Sequence, residues 1–231
     1  LLNIGFPLVD GWKSCEAGRC PAGIGGEEMK APFRALALAL ALACLAVAVP
    51  AVADAGWKPV ERIEHYAISG RSGIELYRSI GEKGPVIGIG RAIAYTDFKL
   101  LWSRDYRPQA DGSCRLVTAR PSLTITYRLP KAPDNLPAPT QQAWRTFIAG
   151  IEAHEKVHGD IIVDMVRQIE AVSVGLSAPG DPDCKKVRQA LQGKLGPLSQ
   201  AQRQRGRDFD RDEMRNGGNI HQLIRALVEG G

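Results

Sequence analysis

From Pro139 to Ile169 apolar residues return at intervals of three and four: Trp144, Phe147, Ile148 and Ile151, then Ile161, Ile162, Met165, Val166 and Ile169. That spacing brings side chains back to one side of an α-helix. One long amphipathic helix is therefore expected, starting near Thr140, which follows Pro139 as an N-cap. Upstream the period is different. Arg62 to Ile68 alternates loosely, Ile93 to Trp102 carries aromatic residues at Tyr95, Phe98 and Trp102, and Leu123 to Leu129 alternates cleanly between apolar and polar. These read as strands. Asp111-Gly112 signals a turn, so Cys114 to Ala119 is expected to pair with the strand before it. Ser72 to Ile80 reads as a short helix ended by Gly81 and Gly84-Pro85, and four prolines from Pro130 to Pro139 stiffen the approach to the long helix.

Downstream, Gly175 to Pro182 reads as a loop and Cys184 to Leu195 as a helix on Val187, Leu191 and Leu195. Ser199 to Arg215 is almost wholly polar and reads as a separate solvated helix anchored by Phe209. Gly217-Gly218 breaks it, and Ile220 to Val228 closes the chain. The predicted class is α+β: an N-terminal antiparallel sheet with one short helix, then the long helix and a helical C-terminal part.

Within the long helix lies His154-Glu155-Lys156-Val157-His158, followed by Gly159-Asp160. Histidines four apart stand one turn apart on one face, here the apolar one, and both rings can reach one tetrahedral cation. Glu155 projects about 100° further round, where the H-E-x-x-H arrangement places a general base beside a metal-bound water. Two histidines and a glutamate turned toward a core each need a partner, because unpaired buried polar groups are costly. A zinc ion satisfies all of them together. His154 and His158 are thus the expected Zn2+ ligands and Glu155 the expected catalytic base.

Composition changes the picture mainly at the N-terminus. Met29-Lys30-Ala31-Pro32-Phe33-Arg34 opens a basic stretch, Ala35 to Val49 is apolar, and Ala51-Val52-Ala53 offers the small residues a signal peptidase reads. Residues 29–53 are expected to be a signal peptide cleaved before Asp54, and not a membrane anchor. Residues 1–28 lack periodicity and end Gly25-Gly26-Glu27-Glu28, as purine-rich codons of a ribosome-binding site would if translated. They read as a leader from a start placed too far upstream. Residues 54–231 remain as one domain, with 26 basic and 21 acidic residues. A mild excess of +5 with no basic stripe interleaved with aromatics argues against nucleic-acid binding. Of the five cysteines only Cys114 and Cys184 fall in that domain. In an oxidising compartment they suggest one disulfide tying the sheet to the segment after the long helix, with two separate buried thiols as the alternative.

Taken in order, these features resemble the predicted secreted zinc-dependent proteases of bacteria. The matching pieces are Tyr66-Ala67-Ile68-Ser69-Gly70 with Glu75-Leu76, Gly84-Pro85, the aromatic strand ending at Trp102, Gly112-Ser113-Cys114-Arg115, the strand closing on Leu129-Pro130, and His154 through Ile161. The resemblance covers most of residues 61–217 and implies a zincin-like metallopeptidase domain in the periplasm or outside the cell. One departure bears on the third ligand. The family pattern carries Tyr-Asp-x-x-Thr-x-His-Gly near the C-terminus, whereas here the nearest stretch is Phe209-Asp210-Arg211-Asp212-Glu213-Met214-Arg215-Asn216-Gly217, without the histidine.

On an unbroken helix Asp160, Asp164 and Glu170 point at least about 100° away from the histidine pair. Asp160 reads instead as a supporting or capping residue. The candidates left are His65, His221, Asp181, Asp183, Asp210 and Asp212. His221, just past the altered box, is favoured as third metal ligand over Asp210. The expected function is hydrolysis of peptide bonds in a peptide or protein, cell-wall peptides included, with no stable membrane insertion after signal cleavage. The half-polar strand at Leu123 to Leu129 could offer an edge to an extended substrate. Two alternatives remain open: a zinc-binding structural or interaction domain without turnover, and a peptidoglycan amidase.

Overall fold

The computed structural model describes residues 56–230, so the expected leader and signal peptide lie outside the described residues. The elements in order are β1 (Val60–Ala67), α1 (Gly73–Lys83), β2 (Val86–Ile87), β3 (Gly90–Arg91), β4 (Tyr95–Pro108), β5 (Cys114–Lys131), α2 (Ala138–Ser173), β6 (Ser177–Ala178), α3 (Lys185–Met214) and α4 (Asn219–Gly230). Strands come first and helices after, an α+β chain. No helix among the described residues is long and apolar enough to cross a membrane.

The main sheet runs β1-β5-β4, with β6 added to the start of β5, and β2 and β3 form a separate two-stranded ribbon. β4 and β5 make a long antiparallel hairpin, Tyr95 opposite Arg128 and Pro108 opposite Cys114. Against expectation, the sheet is not wholly antiparallel: β1 runs parallel to β5, Val60 beside Thr124 and Ala67 beside Lys131. Parallel neighbours need a crossover connection, which α1, the ribbon and β4 supply. Alternation along β1 carries no information about strand direction.

Leu123 to Leu129, expected to present an edge, lies inside the sheet with β1 on one flank and β4 on the other. The stretch beginning at Cys114 and the stretch ending past Leu129 form one strand through Pro121. Near Pro121 β5 is paired with β4 alone, because β1 joins only from Thr124. A residue lacking an N–H is tolerated where one flank has no partner strand.

α1 begins with a capping box: the Ser72 hydroxyl accepts from Glu75 N, and the Glu75 carboxylate accepts from Ser72 N. α2 is a single 36-residue helix passing unbroken through Gly159. Its apolar face, with Phe147, Ile151, Ile162 and Val166, packs on Leu123, Ile125 and Leu129 of β5 and on Ile220 and Leu227 of α4. Two helices were expected between Cys184 and Arg215. One is found, with Pro197 in its interior. Gly196 precedes that proline, and a residue without Cβ lessens the clash that normally ends a helix there.

A second, smaller core holds Cys114, Ala178, Cys184 and Val187. The two cysteines are joined in a disulfide with Cα atoms 5.2 Å apart. Beside it Asp181 accepts from the backbone N–H groups of Lys185, Lys186 and Val187, so the start of α3 is fixed to the beginning of β5. From that anchor α3 packs along α2.

Candidate metal centre

Helical geometry sets the two histidines one turn apart, and α3 brings a carboxylate between them. His154 Nε2 and His158 Nε2 lie 3.1 Å apart, and Asp210 Oδ1 lies 3.2 Å from the first and 2.8 Å from the second. The neighbours of Asp210 on α3 pack against the two rings. The Phe209 ring stacks on His154 with centroids 4.5 Å apart and meets His158 edge-on at 5.5 Å. At Gly206 a Cβ would come within 3.5 Å of His158 Nδ1, so α3 approaches the ring closely. Further along, Arg205 pairs with Asp164 at 2.7 Å and joins the same two helices.

Three potential ligand atoms thus form a triangle with edges of 2.8 to 3.2 Å. Zinc binds nitrogen and oxygen at about 2.0 to 2.2 Å, which puts ligand atoms of a tetrahedral site about 3.3 Å apart. The triangle is slightly smaller than that, and modest widening would seat an ion. Without a cation two imidazole nitrogens face each other at contact distance, and one oxygen is shared between them. The chemistry of the set, two imidazoles and a carboxylate, fits a divalent ion that keeps a position for water. Burial pushes the Asp210 carboxyl up, yet its hydrogen-bond contacts with the His154 and His158 rings, whose donor roles the tautomers set, outweigh it and hold the group well below the usual carboxylate range.

Glu155 turns to the sheet side of α2. It is 2% exposed. Thr96 of β4 donates its hydroxyl to Glu155 Oε2 at 2.6 Å and also lies 3.2 Å from the Glu155 carbonyl oxygen. One turn on, Gly159 faces Tyr127 of β5, and Thr96 and Tyr127 are direct cross-strand partners. The Tyr127 hydroxyl donates to Glu61 of β1 at 2.8 Å, and Lys156 pairs with the same carboxylate while lying over the Tyr127 ring at 4.7 Å. Burial, with the Glu61 carboxylate adding to it, pushes the Tyr127 phenol far above its ordinary value. The motif helix is therefore gripped by all three main strands around Glu155.

Of the residues expected from the sequence, His154 and His158 are brought together, and Glu155 lies beside them on the next face. His221 is not in the group. Among the described residues the side chains close enough to share one ion here are His154, His158 and Asp210. His221 lies beyond the Gly217-Gly218 break, on the first turn of α4, where its Nδ1 accepts from Gly217 N at 3.3 Å. The physical reason for the difference is that α3 runs unbroken past Phe209, so position 210 faces α2 before the chain turns. A further residue escaped the sequence reading: Glu213 Oε2 lies 3.7 Å from His154 Nδ1. Gly206, Phe209, Asp210 and Glu213 share one face of α3, and that spacing was the available signal.

The chain belongs to a family described as "Bacterial protein of unknown function (DUF922)", whose model matches residues 63–218, more than half of the sequence. The match includes His154, Glu155, His158, Asp210 and Glu213 and ends before His221. No curated protein and no solved structure matches the chain.

Proposed function

We propose that this chain is a zincin-like zinc metallopeptidase, exported to the periplasm or beyond, that hydrolyses peptide bonds. The observation that carries the reading is the convergence of His154 Nε2, His158 Nε2 and Asp210 Oδ1 on one point beside Glu155. His154, His158 and Asp210 would hold the ion, Asp210 standing where the sequence favours His221. A bound zinc supplies Lewis acidity for the carbonyl and acidifies water. The rest is done by the chain. The Thr96 hydroxyl fixes Glu155 Oε2, and Oε1 takes no hydrogen bond from the described residues, so Oε1 is the atom free to accept a proton from attacking water and return it to the leaving nitrogen.

The substrate reading follows the sheet. β4 is the outermost strand on the Glu155 side, and its outer edge has no partner strand among the described residues. An extended peptide adding there would pass the carboxylate that Thr96 holds. The Cys114–Cys184 disulfide supports export, since such bonds persist in oxidising compartments.

The test is Glu155→Gln against a peptide library. Hydrolysis by the wild-type protein, lost in the variant while one zinc per chain is kept, is the expected result. Zinc binding without cleavage by the wild type would make this a structural or interaction domain. Release of muropeptides from sacculi with proteins left intact would make it a peptidoglycan amidase.

A further inference from the structure

His154 Nδ1 is buried, and no hydrogen-bond partner lies within reach of it. The whole side chain is 0% exposed, so bulk solvent does not reach it. Its Nε2 faces the triangle, and a lone pair there requires the ring proton to sit on Nδ1. A buried N–H without an acceptor costs about 1 to 3 kcal/mol. The nearest carboxylate is Glu213 Oε2, 3.7 Å away, at the last turn of α3. It is already oriented: Asn219, the first residue of α4, donates its amide to the same oxygen at 2.9 Å. The corner between them is tight, because a Cβ at Gly218 would meet the Glu213 carbonyl oxygen at 2.3 Å. Stacking on Phe209 leaves the His154 ring little freedom to turn away.

We propose that Glu213 is a positioning residue: it accepts the Nδ1 proton of His154, fixes the tautomer that aims the Nε2 lone pair into the site, and so couples the metal centre to the corner between α3 and α4. This rests on the metal reading of His154, His158 and Asp210. Closing the gap from 3.7 Å to hydrogen-bond length takes a shift of about 0.8 Å, within reach of one rotamer adjustment or of a slight advance of the corner. Partners of this kind orient a ligating histidine and raise its basicity, and their loss costs about 10 to 100-fold in metal affinity.

The experiment compares wild type, Glu213→Met, Glu213→Gln and Asn219→Ala. Two readouts are taken: the His154 tautomer from long-range 1H–15N correlation in the metal-free protein, and zinc affinity by chelator competition. The wild type should show the proton on Nδ1. Glu213→Met should lose that preference and bind zinc about 10 to 100-fold more weakly at unchanged stoichiometry. Glu213→Gln keeps an acceptor oxygen and should restore most of both, and Asn219→Ala should shift both in the direction of Met by less. Circular dichroism confirms that each variant is folded. An unchanged tautomer and affinity in folded Glu213→Met overturns the proposal, even if the wild type binds zinc. A wild type that binds no metal, yet shows the Nδ1 proton lost on Glu213→Met, overturns the metal reading and leaves the role of Glu213 standing.

Discussion

Replacing Gly159 with alanine tests how tightly the motif helix is set against the sheet. The added Cβ would lie 2.3 Å from the Tyr127 hydroxyl and 3.2 Å from Cζ of the same ring. Ordinary contact begins near 3.5 Å, so the ring tip has to retreat by more than about 1 Å. Tyr127 cannot do so freely, since its hydroxyl is held by Glu61 at 2.8 Å and Lys156 covers its face. Overpacking costs about 1 to 3 kcal/mol. The lost hydrogen bond adds about 1 kcal/mol, toward the low end because Glu61 is partly exposed to water. Against this, alanine is favoured over glycine in a helix by about 1 kcal/mol. The net expectation is a destabilisation of about 2 kcal/mol, or a melting temperature lower by about 4 to 8 °C for a domain of this size. In a Tyr127→Phe background the hydroxyl is gone, and the same substitution should be close to neutral. Denaturant unfolding of the four proteins gives the coupling directly. Equal effects in the two backgrounds, or an alanine that stabilises the wild type by its full helix propensity, would refute the reasoning.

Thr96→Val removes the hydroxyl from Glu155 Oε2 and leaves a buried carboxylate short of a donor, so a loss of about 1.5 to 3 kcal/mol is expected by urea unfolding, together with reduced hydrolysis if Glu155 is the base. Reduction of Cys114–Cys184 opens a loop of sequence separation 70; the chain-entropy account gives about 4 kcal/mol, read as a lower urea midpoint with and without reductant. Burial pushes the Asp181 carboxyl up, but three backbone N–H groups at the start of α3 push it down by more. Its folded value thus lies below the unfolded one, so it stabilises the native state above the unfolded aspartate pKa and that support fades as pH falls below it. Melting curves of Asp181→Ala against pH should converge toward the wild type in acid; parallel curves would contradict the assignment.

What could be read in the chain, and what could not, divides along physical lines. The motif helix was legible because a period near 3.6 persists from Trp144 to Ile169, and that period alone places His154 and His158 together. The disulfide was legible because two cysteines remained once the N-terminal segments were set aside. The direction of β1 was not, since alternation along a strand is the same whichever way it runs, and the parallel pairing depends on the crossover through α1, the ribbon and β4 between Ala67 and Cys114. The single helix α3 was read as two because its apolar spacing stops at Leu195 and the run from Ser199 is polar; Pro197 between them does not end the helix. That Asp210 rather than His221 would stand beside the histidine pair was not legible for a related reason. A run as polar as Ser199 to Arg215 looks solvated when counted as a whole, yet Gly206, Phe209, Asp210 and Glu213 form a narrow face of small, aromatic and acidic residues turned toward α2.

The central claim is that His154, His158 and Asp210 form one metal centre. Its most direct test is the zinc content of the purified protein, by elemental analysis after equilibration with zinc and removal of excess, beside His158→Ala, Asp210→Ala and His221→Ala. About one zinc per chain in the wild type and in His221→Ala, with loss in the other two, is the predicted result. No zinc in the wild type, or zinc kept in Asp210→Ala and lost in His221→Ala, would contradict it.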